Sequence, residues 1–259
     1  MAEFLSTIVD HVKAQVEERQ RKMPASVLRE RPLFHTPTRD FAGSLTGSSR
    51  RIIAEVKRAS PSKGLIRDNC EPVEVAKDYA GHGASAISVL TEERFFQGSL
   101  SYLEQIRGTV ALPLLRKDFI IDPYQLTEAR SYGADAVLFI AALLEPSRLR
   151  ELREEATALS LDMLVEVHTE EELNAAIKAG AQLVGINNRD LRTFEVSLAT
   201  TERLAPLIPT GMVAVCESGI DTVEQIRRVE ELGINVFLIG EALMRAAQPG
   251  KKLKELLEK

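Results

Sequence analysis

The chain of 259 residues carries 44% hydrophobic and 27% charged side chains, ordinary values for a soluble globular protein able to bury a core without disulfides or structural metals. A net charge of −5 and a sequence pI near 5.6 give no basis for binding nucleic acid or an anionic membrane. Cys70 and Cys216 read as separate reduced thiols, the longest apolar run (Ala136 to Leu144) is too short to span a bilayer, and an N-terminus carrying Glu3 and Asp10 is unlike a signal peptide, so the expectation is a cytoplasmic protein.

Ala2 to Lys22 reads as an amphipathic helix with Phe4, Leu5, Ile8, Val12 and Val16 on one face, and a second short helix begins near Pro24. This opening stretch of about fifty residues has two readings, a plug beneath the fold that follows or a cover over its mouth. Four β-rich runs then end in ionisable residues: Arg51 to Lys57, Pro113 to Asp118, Met163 to Glu166 and Met212 to Ser218. Between them lie four runs opened by glycine, at Gly83, Gly133, Gly180 and Gly233, recurring roughly every 50 residues as a helix-ending glycine, a tight turn and a buried strand. Helical spacing fills the gaps at Pro72 to His82, Leu100 to Arg107, Pro123 to Tyr132, Pro146 to Leu159, Glu170 to Ala179, Ala199 to Leu207 and Thr222 to Leu232, with a last helix from Gly250. Asp122, Thr169 and Asp221 are the expected N-caps. Eight strands alternating with helices predict the α/β class: a (β/α)8 TIM barrel with extra N-terminal helices, one domain over residues 1–259 with residues 1–50 as its extension.

Alternate residues of a barrel strand point inward. Glu55 and Lys57 share a face opposite apolar Ile52, Ala54 and Val56, so both point into the mouth. The same parity turns Lys117, Glu166, Asn187 and Glu217 inward, while Cys216 faces the helices as a packing residue. So many charges on one mouth fit an acid–base site better than a seal of ion pairs, which apolar packing would replace at no loss. Burial is expected to lower the lysine pKa values and raise those of the glutamates. Ser218-Gly219 after strand seven and Gly240-Glu241 after strand eight occupy the loops where this fold binds phosphate through backbone N–H groups. Ser60 in the first loop adds a hydroxyl, and Lys63 is either a phosphate contact or a solvated cation. Arg189 can pair with an anionic group, and Phe95, Phe96 and Phe119 can sandwich a ring or simply pack on the rim.

Other signals fail. Gly81-His82-Gly83-Ala84-Ser85-Ala86 fits a dinucleotide pattern but precedes its strand. The four histidines lack metal-ligand spacing, and His168 reads as a helix cap or a rim residue.

The motifs Ile53-Ala54-Glu55-Val56-Lys57-Arg58-Ala59-Ser60-Pro61-Ser62-Lys63-Gly64, Ser88-Val89-Leu90-Thr91-Glu92, Leu115-Arg116-Lys117-Asp118-Phe119, Leu164-Val165-Glu166-Val167, Gly185-Ile186-Asn187-Asn188-Arg189-Asp190-Leu191, Glu217-Ser218-Gly219-Ile220 and Ile239-Gly240-Glu241-Ala242-Leu243-Met244 closely resemble, in order, those of the indole-3-glycerol phosphate synthase family. Ala59 departs from members that carry a lysine there. The resemblance implies closure, decarboxylation and dehydration of 1-(2-carboxyphenylamino)-1-deoxyribulose 5-phosphate, without cofactor or metal. It implies Lys117 as general acid, Glu166 as its acid–base partner, and Glu55 and Lys57 assisting dehydration or holding the anthranilate carboxylate. Asn187, Arg189 and Glu217 would orient the substrate; Phe96, Phe119, Leu138 and Leu238 would line its site; Ser60, Ser218, Gly219, Gly240 and the N–H of Glu241 would bind phosphate. It also turns the N-terminal helices into a cover and implies a phosphorylated small-molecule partner for a monomer or weak homodimer. The competing readings are a sister sugar-phosphate isomerase or epimerase barrel, which would not need Glu55, Lys57 and Lys117 together, and a non-catalytic binding scaffold.

Overall fold

Period-two alternation along eight short strands closes this chain into a ring. The computed structural model describes residues 3–258 apart from 69 and 192, with the side chains of residues 3–6 also outside the description. The strands are β1 (Arg51–Val56), β2 (Ala86–Leu90), β3 (Leu114–Lys117), β4 (Ala136–Ile140), β5 (Asp162–Val167), β6 (Leu183–Asn187), β7 (Val213–Glu217) and β8 (Val236–Ile239). Each pairs in parallel with the next, and β1 pairs with both β2 and β8, which completes a (β/α)8 TIM barrel. A small antiparallel pair, Ala59–Ser60 with Gly64–Leu65, stiffens the loop after β1.

The helices are α1 (Glu3–Lys22), α2 (Ala25–Arg29), α3 (Pro32–His35), α4 (Phe41–Ser44), α5 (Pro72–Gly81), α6 (Leu100–Arg107), α7 (Pro123–Ser131), α8 (Pro146–Ala158), α9 (Glu170–Ala179), α10 (Ala199–Leu204), α11 (Val223–Glu230), α12 (Glu241–Arg245) and α13 (Pro249–Leu257). The expected helix over Ala199 to Leu207 divides, continuing past α10 as a 3₁₀ turn over Ala205–Leu207, because Pro206 has no N–H to donate. Asp122 and Thr169 cap α7 and α9 as expected. Asp221 does not cap α11; Thr222 does, because Gln225 stands three residues after it and closes a reciprocal capping box. Gly180 ends α9 at φ 83°, and Gly83, Gly133 and Gly233 adopt the same left-handed conformation.

The alternation separates two apolar layers. Ile52, Ala54, Val56, Val137, Phe139, Val184 and Cys216 face the helices, whereas Ile53, Leu115, Leu164, Leu183, Val215 and Val236 fill the barrel. Burial pushes the Cys216 thiol up to about 11, so it packs as a neutral group.

The N-terminal segment reaches both ends of the barrel. Ile8, Val12 and Val16 on α1 are buried with the inner cluster; the other two residues of that expected stripe, Phe4 and Leu5, fall among the side chains outside the description, as does the expected helix start at Ala2. α1 is tied to α7 by an Arg19–Glu128 ion pair at 3.2 Å and by the Tyr124 hydroxyl donating to Met23 O at 2.9 Å. The chain then descends beside α7, where the Ser131 hydroxyl donates to Leu28 O. Phe41 and Leu45 end it beneath the barrel, where Ala42 N donates to Asp162 Oδ2 at the first residue of β5.

Candidate active site

The six charged or amide side chains turned inward by strand parity meet in one cavity of about 570 Å³ at the C-terminal ends of the strands. Glu55, Lys57, Lys117, Glu166, Asn187 and Glu217 all line it, and so do Ser60, Phe96, Phe119, Leu138, Arg189, Ser218, Gly219, Leu238, Gly240 and Glu241. Phe95 does not: its ring packs edge-on against His11 of α1, 5.7 Å between centroids.

Lys117 is the hub. Its Nζ lies 3.4 Å from Glu166 Oε2 and 3.7 Å from Glu217 Oε2. Asn187 Nδ2 donates to Glu166 Oε1 at 3.0 Å, which fixes the carboxylate plane, and Lys57 Nζ lies 2.8 Å from Glu55 Oε1. Two glycines make room for these groups. A Cβ on Gly185 would overlap Glu217 Oε1, and one on Gly240 would overlap Glu55 Oε1, each also coming within 3.0 Å of the corresponding Cδ. Gly240 therefore admits Glu55 as well as lining the loop where an anion was expected.

The electrostatics correct the simple burial argument. Burial alone would lower Lys117, but Glu166, Glu217 and Glu55 outweigh it and hold the ammonium above its ordinary pKa. Burial would raise Glu55 and Glu166, yet Lys57 and Lys117 for the first, and Lys117 and His168 for the second, hold both below the usual carboxylate value. Only Glu217 follows burial: desolvation, reinforced by the charges of Glu166 and Glu55 against the pull of Lys117, pushes it up to about 8. Its Oε1 has no hydrogen-bond partner among the described residues. At neutral pH the charged Lys117 thus faces two carboxylates, Glu55 and Glu166, and one neutral carboxylic acid, Glu217.

One end of the cavity is cationic. Arg189, Lys63 and Arg245 stand there with Ser60, Ser62, Ser218 and Gly219. Ser218 takes φ 64°, unusual for a side-chain-bearing residue, and Gly219 follows at φ 80°. Asn188 Nδ2 secures this turn by donating to Glu217 O and Ser218 O, both at 3.1 Å. At the other end Phe96 and Phe119 face each other with centroids 6.1 Å apart, beside Ile8 of α1.

Three residues that the sequence reading gave no role in the site contribute to it. Glu92 is buried and accepts the backbone N–H groups of Arg94, Phe95 and Phe96 at 3.0, 2.6 and 3.1 Å, folding the loop that presents Phe96. His168 is neither a helix cap nor a plain rim residue: its Nε2 lies 3.6 Å from Glu166 Oε1 and its Nδ1 3.4 Å from Glu172 Oε2. Burial opposes its charge, but Glu172 and Glu166 prevail and raise its pKa. Arg116, fully buried behind Lys117, donates to Asp118 Oδ2 at 2.9 Å and to Glu128 Oε2 at 2.8 Å, anchoring the end of β3 to α7. Arg116 alternates with the inward Lys117 and so faces the helices, but nothing local to β3 points to Glu128, twelve residues on, as a partner.

No group of three or more His, Cys, Asp or Glu side chains among the described residues is arranged to hold a metal ion, and no helix among them is long and apolar enough to cross a membrane.

A family model described as indole-3-glycerol phosphate synthase matches residues 5–256. Indole-3-glycerol phosphate synthase of Dehalococcoides mccartyi is 51% identical over 258 residues, covering 98% of this chain and 100% of that protein. That of Chromobacterium violaceum is 47% identical over 260 residues, covering 99% and 98%. Among solved structures, 3-hexulose-6-phosphate synthase from Salmonella typhimurium superposes with a TM-score of 0.65 at 12% identity, covering 80% of this chain and 96% of that one. Thiamine phosphate pyrophosphorylase from Pyrococcus furiosus gives 0.61 at 17% identity, covering 84% and 96%; at such identities the likeness is one of fold alone.

Proposed function

We propose, from the premise that this chain belongs to the indole-3-glycerol phosphate synthase family, a division of labour among the residues of its cavity. The chain is a decarboxylating lyase of tryptophan biosynthesis. It closes the ring of 1-(2-carboxyphenylamino)-1-deoxyribulose 5-phosphate to indole-3-glycerol phosphate, releasing CO₂ and water.

The observation that carries the assignment is Lys117 Nζ held between Glu166 and Glu217 in a cavity that is also lined by an aromatic pair and a cluster of cations. The phosphate lies at the cationic end against Arg189, Lys63, Ser60 and the Ser218–Gly219 turn, with Gly240 and the N–H of Glu241 alongside. The anilino ring packs against the Phe96–Phe119 pair, with Leu138 and Leu238 also lining its end of the cavity. This places the ketone near Lys117. As the carboxylate-bearing ring carbon attacks the ketone carbon, negative charge grows on the oxygen, and Lys117 delivers its proton there; an ammonium held charged by its neighbours is poised to stabilise that oxyanion. Loss of CO₂ leaves its bonding electrons in the ring system. In the dehydration that follows, Lys57, released by the departing CO₂, gives the new hydroxyl the proton with which it leaves as water, and Glu166, ionised and oriented by Asn187, removes the proton from carbon. Lys57, fixed by Glu55, holds the ring carboxylate until it leaves. Glu217 in its neutral form orients the substrate by hydrogen bonding.

The N-terminal segment is part of the same domain and covers the mouth, as the place of Ile8 in the cavity wall supports. Two free cysteines fit a reducing cytoplasm. A steady-state assay of indole fluorescence from the anilino-deoxyribulose phosphate tests the whole reading. Turnover with stoichiometric CO₂ is expected; isomerisation of a sugar phosphate in its place would overturn it.

A further inference from the structure

The cationic end of the cavity already holds an anion of the protein's own. Glu241 Oε2 lies 3.3 Å from Arg189, and its Oε1 lies 3.2 Å from Arg245 and 3.8 Å from Lys63. The three cations come from the loop after β6, from the end of α12 and from the loop after β1, and all line the cavity with Glu241. Three separate segments thus aim positive charge at a single carboxylate. Arg189 does not depend on it for its position, because Nη1 also donates to Phe194 O at 3.2 Å and to Ser62 Oγ at 3.4 Å.

We propose that Glu241 is an internal counter-anion which the substrate's phosphate must displace, and that this exchange selects a phosphate dianion over a monoanion. The inference rests on the placement of phosphate at this end of the cavity. A tethered carboxylate has a high local concentration, so a free carboxylate gains little by replacing it. A phosphate carries close to two charges and three acceptor oxygens, enough to engage each of the three cations at once. The substrate bears both kinds of anion. With Glu241 in place its ring carboxylate is kept out of the cationic end, and the molecule enters in one orientation.

The test is the inhibition of the intact enzyme by inorganic phosphate, read as a competitive inhibition constant, together with the rise in melting temperature that phosphate produces. In Glu241→Gln the constant should fall by at least roughly fivefold and the phosphate-induced rise should grow, since the anion no longer has a competitor. The thermal readout also reports whether the variant is folded, and Glu241→Ala, which keeps the backbone N–H, should behave alike. Unchanged or weaker phosphate binding in both variants would overturn the inference and make Glu241 an organiser of the cations. Arg189→Gln and Lys63→Gln separate the two layers of argument. If they weaken phosphate inhibition while Glu241→Gln fails to tighten it, the placement stands and the displacement falls; if they leave inhibition untouched, the placement falls and takes the displacement with it.

Discussion

Glu217→Gln removes a proton that the fold retains and the unfolded chain gives up. The carboxyl rises from an ordinary 4.5 to about 8, first through burial and then through Glu166 and Glu55, against the opposing charge of Lys117. Between those values the folded protein binds a proton that the unfolded chain has lost, so stability falls as pH rises. The contribution is complete below the unfolded pKa and gone once pH passes the folded one, a slope of roughly 1.4 kcal/mol per pH unit and on the order of 5 kcal/mol across the window. Glutamine has the shape of the neutral acid and no such proton, so this slope vanishes in the variant. Urea unfolding of both proteins at steps from about pH 5 to pH 9 reads the effect of Glu217 together with its charge partners in the cavity, because titrating groups distant from it contribute similarly to each. The variant should gain on the wild type steadily up to about pH 8 and then hold its lead. Parallel profiles would refute a protonated Glu217 and with it the single neutral acid in the site.

Two further substitutions probe the supports of the cavity. In Gly185→Ala the new methyl overlaps Glu217 Oε1, so that side chain must swing away. The crowding should cost about 1–3 kcal/mol in chemical denaturation, and kcat should fall at least ~10-fold with the substrate KM changed far less, as expected when a catalytic array is misplaced. Arg116→Met removes the guanidinium shared by two buried carboxylates behind β3, leaving Glu128 with Arg19 and Asp118 with the Thr91 hydroxyl and the Phe119 N–H. Breaking such a cluster from one side should destabilise the protein by about 3–5 kcal/mol, seen as a large drop in melting temperature, whereas methionine replacing all three charges together with apolar partners would recover much of it.

The layout of the barrel was legible because it rests on a local rule. One-residue alternation sorts Ile52, Ala54 and Val56 from Glu55 and Lys57 without knowing any neighbour, and repeating the rule on the other strands collects Lys117, Glu166, Asn187 and Glu217 on one face. Where the outcome depends on which strand lies alongside, the sequence was silent. Gly185 and Gly240 matter because β7 and β1 send glutamates across them, a relation visible only once the ring is closed. The pKa directions of Lys117, Glu55 and Glu166 reversed because burial is a property of one residue whereas the opposing charges belong to its neighbours: Lys117 meets glutamates from three other strands, Glu166 meets Lys117 of β3 and His168 beside it, and Glu55 meets Lys117 of β3 together with Lys57, whose place on the same face was already legible. The N-terminal segment posed plug against cover as alternatives; its two halves lie at opposite ends, Ile8 in the cavity wall and Phe41 beneath the barrel, which a helical stripe alone cannot separate. His168 shares inward parity with Glu166, so its place was open to inference, yet only the fold brings Glu172 to its other side.

Ring closure depends on Lys117 as the proton donor to the ketone oxygen. Single-turnover measurement of ring closure in Lys117→Ala, with the protein first shown to be folded, should give a rate lower by at least ~10²-fold while saturation occurs at a similar substrate concentration. Closure at the wild-type rate in that variant would contradict it.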